Sequence, residues 1–228
     1  MKLAMNYNNT PILSVKNLTV TYRKYGSTVK ALDDLTIEPI TKGSWTFLVG
    51  SNGSGKSTLF KAITKGFENY SGTIELDGID VKKIATKQLS EIVFLINQNP
   101  IACTVDELTV WENLQFATND KAKGEFEESL KQLGLCEHKN HLAKNLSGGQ
   151  RQLLALQIAR LRKVKLLLLD EPFAALDPEN ANKAVTMVTN IWKNGTAVIF
   201  VSHDYALMEK PDFKESNKFF FKDGKLSI

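Results

Sequence analysis

One nine-residue run constrains this chain more than any other: Gly50-Ser51-Asn52-Gly53-Ser54-Gly55-Lys56-Ser57-Thr58. It has the form G-x-x-x-x-G-K-[ST], in which glycines let the backbone curl until its N–H groups converge on phosphate oxygens. The motif also stands where its chemistry needs it. Thr46–Val49 is a short apolar run that reads as a buried strand, and Thr58–Thr64 reads as a helix. The helix directs its positive N-terminal end at the same anion. Lys56 has the reach for β- and γ-phosphates, and the Ser57 hydroxyl is a ligand for Mg²⁺.

Two further constellations carry chemistry. Leu166–Leu169 reads as a buried strand and runs directly into Asp170 and Glu171. Strand ends of this kind are where α/β sheets place ligands, and alternation along a strand gives the two carboxylates different directions. Asp170 is the candidate to hold Mg²⁺, directly or through water. Glu171 is the candidate to orient, or take a proton from, the water that attacks a γ-phosphate. The competing reading is a pair of solvated acids. Leu146-Ser147-Gly148-Gly149-Gln150 opens a helix, so a hydroxyl and two glycine N–H groups form either a second anion site or an ordinary cap with Ser147 as N-cap.

The rest of the chain fits an α/β core. Ile12–Tyr22, Thr73–Leu76, Ile92–Ile96 and Thr196–Val201 read as strands, Pro178–Trp192 as a helix, and Phe219–Phe221 with Lys225–Ile228 as a hairpin about Asp223-Gly224. Between Gln98 and Lys165, helix-period segments at Val105–Phe116, Glu125–Leu133 and Gly149–Leu161 suggest a helical insertion. The expectation is one domain over residues 1–228, with a core at about 10–97 and 166–228 and a helical part at about 98–165. At 228 residues and 43% hydrophobic content, such a core can be buried. The net charge of +4 suits an anionic ligand and equally a solvated surface. Two cysteines, Cys103 and Cys136, form no CxxC pair, which excludes a disulfide framework and fits a cytoplasmic setting. No signal-peptide pattern or membrane-length apolar run occurs, so any tie to a membrane is expected through a partner. No feature points to nucleic acid.

Leu146–Gln150, lying between the phosphate loop and the Asp170-Glu171 strand end, resembles the signature sequence of ABC (ATP-binding cassette) ATPases. The resemblance extends from about Ile12 to Lys225. It implies a P-loop NTPase core with a parallel sheet, an antiparallel β subdomain and an inserted helical subdomain. It further implies an ATPase that uses ATP and Mg²⁺ and powers a transporter, most similar to bacterial importers, from the cytoplasmic face of the cell membrane. The implied partners are separate transmembrane permease subunits, a second copy or close paralogue joined head to tail around two ATP molecules, and a substrate-binding protein reached through the complex. By the same resemblance Gln98 is the Q-loop glutamine that approaches Mg²⁺ and the attacking water. Ala175-Leu176-Asp177 is similar to the D-loop, His203 to the switch histidine, and Tyr22 to the aromatic that stacks on adenine. Each has a structural alternative: packing for Tyr22, a helix cap for Asp177, a satisfied polar residue for Gln98 and His203. Two departures stand out, Ile158 where many members carry Arg and Phe173-Ala174 where Thr-Ser is usual. The competing readings are a soluble ABC ATPase outside transport, such as the iron–sulfur assembly type, and a nucleotide-dependent regulator without turnover.

Overall fold

The computed structural model describes residues 10–24, 27–67, 69–119, 123–174, 176–201, 208–209, 211, 213–214 and 216–227. At its centre is a mixed six-stranded sheet. β3 (Trp45–Gly50), β6 (Val93–Ile96), β7 (Leu166–Asp170), β8 (Ala197–Val201), β9 (Asn217–Lys222) and β10 (Lys225–Ser227) lie in the order β10-β9-β3-β8-β7-β6. All neighbours are parallel except β9 and β10, which form an antiparallel hairpin. The inner strands are apolar on both sides because both faces of the sheet are covered.

Side-chain alternation decides what covers each face. Leu48, Leu166, Leu168, Ile199 and Val201 belong to a core shared with a second, antiparallel sheet and with α1 (Lys56–Ile63) and α2 (Thr86–Ile92). That second sheet has the order β2-β1-β4-β5, from β1 (Pro11–Lys24), β2 (Ser27–Thr41), β4 (Ser71–Leu76) and β5 (Ile79–Asp80). Phe47, Val49, Leu167, Leu169, Val198 and Phe200 point the other way. There they pack with α3 (Val110–Thr118), α4 (Phe126–Leu133), α5 (Gly148–Arg162) and α6 (Pro178–Lys193). Helix α5 touches α3, α4, α6 and β6, and every residue from Arg151 to Ala159 is buried. It therefore joins the helical stretch to the sheet in one continuous core. Among the described residues no helix is long and apolar enough to cross a membrane.

Three expectations change. Helix α3 begins at Val110, not near Val105. The Thr109 hydroxyl accepts from the Glu112 N–H at 3.1 Å and the Glu112 carboxylate accepts from the Thr109 N–H at 2.8 Å, a capping box that starts the helix there. Upstream, buried Asn113 takes the place of a helix: its Oδ1 accepts from Val105 N–H at 2.7 Å and its Nδ2 donates to the carbonyls of Val105 and Leu108 at 3.0 and 3.2 Å. Ile92 ends α2 and does not start β6. Strand β2, unread in the sequence, carries Asp33 and Asp34 in mid-strand, with Asp34 at φ 53°, and so breaks its own alternation.

Candidate functional site

The glycine-rich loop leaves β3 and enters α1 as expected, and its glycines answer to neighbours far off in sequence. A Cβ on Gly50 would lie 2.4 Å from the Phe221 carbonyl oxygen, and one on Gly55 (φ 110°) 2.8 Å from that of Ala31. The loop's cation is turned inward. Lys56 is 5% exposed, and its Nζ donates to the carbonyls of Gly50 at 2.7 Å and Ser51 at 2.9 Å, with the Ser54 hydroxyl at 3.4 Å. Burial pulls its pKa below the ordinary lysine value, opposed by the negative charges of Asp170 and Glu171. Its charge is thus solvated by the loop it must stabilise.

The carboxylate pair divides as alternation requires. Asp170 is hydrogen-bonded to Ser57, and burial raises its carboxyl above the ordinary range; the Ser57 bond opposes this shift and Glu171 adds to it. Glu171 turns the chain at φ 49°, its N–H donating to the Val201 carbonyl at 3.1 Å. That turn brings Glu171 into an open cleft of about 600 Å³ lined also by Tyr22, Asn52, Gly53, Gly55, Lys56, Ser57, Thr58 and Gln98. The same cleft is lined by residues the sequence did not single out: Val29, Lys30 and Ala31 of β2, and Asp223 and Gly224 of the β9–β10 turn. Their signal was weak. Asp223-Gly224 reads as a turn, but nothing local says that Gly224 N–H donates to Ser54 O at 3.0 Å, 170 residues away.

Ser147–Gln150 and Asp177 form a separate group. Ser147 caps α5, its Oγ accepting from Gln150 N–H at 3.2 Å while Gln150 Oε1 accepts from Ser147 N–H at 2.9 Å. Asp177 caps α6, accepting from the N–H groups of Glu179 and Asn180 at 3.1 and 3.0 Å, and these bonds lower its carboxyl below the ordinary value. Asn180 in turn lies against Gly149, 3.2 Å from where a Cβ would stand, whereas Gly148 has open space. None of these residues lines the cleft. Gln98 is exposed, and the segment after it is tied to α5 by Asp106, which pairs with buried Arg151 at 2.6 Å. His203 and Ala175 lie outside the described residues.

The donor set fits a magnesium nucleotide. The strand–loop–helix cradle, its inward lysine and the open space beside Gly53 among the described residues leave room for a phosphate chain. Ser57, Asp170 and Gln98 offer only oxygen ligands of the kind Mg²⁺ prefers. Fold and site together define a P-loop nucleoside triphosphatase.

Comparison with known proteins gives the family. Residues 32–174 match the family described as ABC transporter. The chain is 34% identical over 200 residues to the energy-coupling factor transporter ATP-binding protein EcfA of Pediococcus pentosaceus, covering 85% of this chain and 70% of that one. It is 33% identical to a putative ABC transporter ATP-binding protein of Bacillus cereus, where 91% of this chain spans 39% of the relative's length. Among solved structures, cbiO1 of Clostridium perfringens, described as part of the ABC transporter complex cbiONQ, superposes with a TM-score of 0.76 at 26% identity over 96% of this chain and 88% of the other. The chain belongs to the ABC transporter family, as an ATP-binding subunit that hydrolyses ATP.

Proposed function

We propose that two copies of this chain, or one copy and a close paralogue, close head to tail around two ATP molecules, and that their opening after hydrolysis moves separate permease subunits on the cytoplasmic face of a membrane. The observation that carries this is the separation of the site into two groups. The cleft holds the loop, Gln98 and Glu171, while Ser147 and Gly148 present an exposed helix N-terminus elsewhere. A helix end with free N–H groups completes an anion site only when a second chain brings it to the γ-phosphate.

Within one cleft, Tyr22 stacks on the base and residues 50–58 wrap the phosphates. Lys56 exchanges its loop carbonyls for β- and γ-phosphate oxygens. Ser57, Asp170 and Gln98 would hold Mg²⁺, which would supply positive charge to the phosphate chain. Glu171 orients and deprotonates the attacking water, aided by His203, and Asp177 fixes the loop between the two cassettes. In this scheme Lys56 faces phosphate charge in ground and transition states alike, whereas Glu171 serves only the water. Lys56→Ala therefore abolishes tight ATP binding, while Glu171→Gln keeps binding and stops phosphate release. Sedimentation of Glu171→Gln protein shows a dimer with Mg-ATP and a monomer without it, and Ser147→Arg prevents the shift. Wild-type turnover in Glu171→Gln would remove the general-base role, and a monomer under all conditions would remove the sandwich.

The permease docks beside Gln98, on the segment from Pro100 to Leu108. Ile101 is 50% and Val105 36% exposed; Pro100–Cys103 is a 3₁₀ turn, and Asn113 holds Val105 and Leu108 in place beyond it. An apolar surface next to a nucleotide-sensing glutamine couples site to partner with few intermediates. Ile101→Glu leaves soluble, ATP-binding protein that no longer assembles with its permease; undiminished assembly would place docking elsewhere. Leu108 is half-buried, so a charge there perturbs the fold as well.

A further inference from the structure

The helix that opens at Ser147 has a side chain behind it that none of the motifs includes. His138 ends a short 3₁₀ turn, Cys136–His138, and its Nε2 lies 3.4 Å from Nε2 of Gln150. The Gln150 amide is already committed: its oxygen accepts the Ser147 N–H at 2.9 Å, so its NH₂ faces the histidine. An amide nitrogen has no lone pair to offer, so the imidazole must be the acceptor at Nε2, with its proton on Nδ1. That Nδ1 is buried and, among the described residues, has no hydrogen-bond partner. The ring is held in place from both sides of the chain. His138 N–H donates to Leu135 O at 3.0 Å, His141 N–H donates to His138 O at 2.8 Å, and the two imidazoles meet edge to face at 5.1 Å. Neighbouring Lys139 is turned elsewhere, over the Trp111 ring and onto Glu127.

We propose that His138 is a positioning residue for the signature helix. By accepting from the Gln150 NH₂, it fixes which way that amide points and so keeps Gln150 Oε1 on the Ser147 N–H. Reversing the amide would set its NH₂ against the Ser147 N–H, two donors face to face, and open the capping box that shapes Ser147-Gly148-Gly149. A histidine at this place carries a buried, unpartnered Nδ1, a cost that general packing would not require. The consequence for turnover rests on the head-to-tail reading above, because in that reading Ser147–Gly149 meets the nucleotide of the opposite chain. The consequence for the helix end itself does not.

The test uses full-length protein carrying Glu171→Gln, with His138→Phe, which keeps a ring and removes the acceptor, and His138→Gln, whose Oε1 can replace Nε2. His138→Phe is expected to leave the ATP affinity of the monomer within about twofold, since the cleft is untouched. ATP-driven dimerisation should weaken by about tenfold, because each dimer contains two such helix ends and each loses one net hydrogen bond. His138→Gln should restore most of it. Hydrogen exchange of the Ser147 amide, read in the monomer, should accelerate in His138→Phe and return in His138→Gln. Unchanged exchange at Ser147 in His138→Phe overturns the proposal whatever the dimer does. Failure of His138→Gln to restore it assigns the histidine to packing alone and overturns it equally. If the parent Glu171→Gln protein stays monomeric, the sandwich reading falls, and the exchange measurement still decides the role of His138.

Discussion

Replacing Gly224 with alanine tests whether the C-terminal hairpin is part of the nucleotide site. Gly224 sits at φ 77° in the β9–β10 turn, and an added Cβ would stand 2.8 Å from the Ala31 carbonyl oxygen and 3.2 Å from the Ala31 carbonyl carbon and Leu32 Cα. All three are backbone atoms, so none can swing aside. Gly224 N–H also donates to Ser54 O at 3.0 Å, and its carbonyl accepts from Asp33 N–H at 3.1 Å. Left-handed backbone costs a non-glycine residue on the order of 1 kcal/mol, and forcing an extra methyl into a filled space adds about 1–3 kcal/mol, giving roughly 2–4 kcal/mol in all. For a chain of this size that lowers the melting temperature by roughly 5–15 °C. Gly78, in the β4–β5 turn, supplies the control. Its φ is 80°, but nothing lies within 4 Å of its Cβ position, so Gly78→Ala carries the backbone cost alone. Urea unfolding should therefore separate the two variants by at least about 1 kcal/mol. Displacing the turn also takes the donor from Ser54 O, so ATP affinity should fall in Gly224→Ala and hold in Gly78→Ala. Equal stability in the two variants, with equal ATP affinity, would refute the argument that the hairpin braces the phosphate loop.

Asp170→Asn should raise the melting temperature of nucleotide-free protein and abolish magnesium-dependent hydrolysis, because burial disfavours the Asp170 charge that Mg²⁺ requires; a lower melting temperature would show that the charge stabilises the fold. Asp77 is bonded by Lys165 at 2.6 Å and Lys42 at 2.7 Å, which lowers its carboxyl below the ordinary 3.8. Its contribution should be complete above that value, disappear as pH falls through the lowered one, and shrink in salt, so the stability gap between wild type and Asp77→Asn should close in acid; a gap independent of pH would count against the ion pairs. Burial pushes the Cys103 thiol up to about 12, whereas Cys136 is exposed. Iodoacetamide should therefore label Cys136 and spare Cys103 in folded protein, as read by mass spectrometry; equal labelling would contradict the packing around Cys103.

The sequence by itself determined the elements whose identity rests on neighbours in the chain. Residues 50–58 curl because glycines stand at fixed offsets between an apolar strand and a helix. Leu166–Leu169 is a buried strand because four successive leucines leave no polar face, and Asp170-Glu171 then falls at its end. Ser147 and Asp177 cap their helices through bonds to residues two and three positions on. Tertiary structure alone decided what depends on approach from a distance. Strand β2 is held by pairing with β1 through a register with several bulges, which no local period records. The cleft's far wall comes from β2 and the last hairpin, and His138 meets Gln150 only because the chain turns back between them. The physical reason is common to all three. Caps, turns and apolar periods are satisfied within a few residues and so leave a pattern in the chain, whereas a hydrogen bond or close contact between distant segments exists only once the core has brought them together.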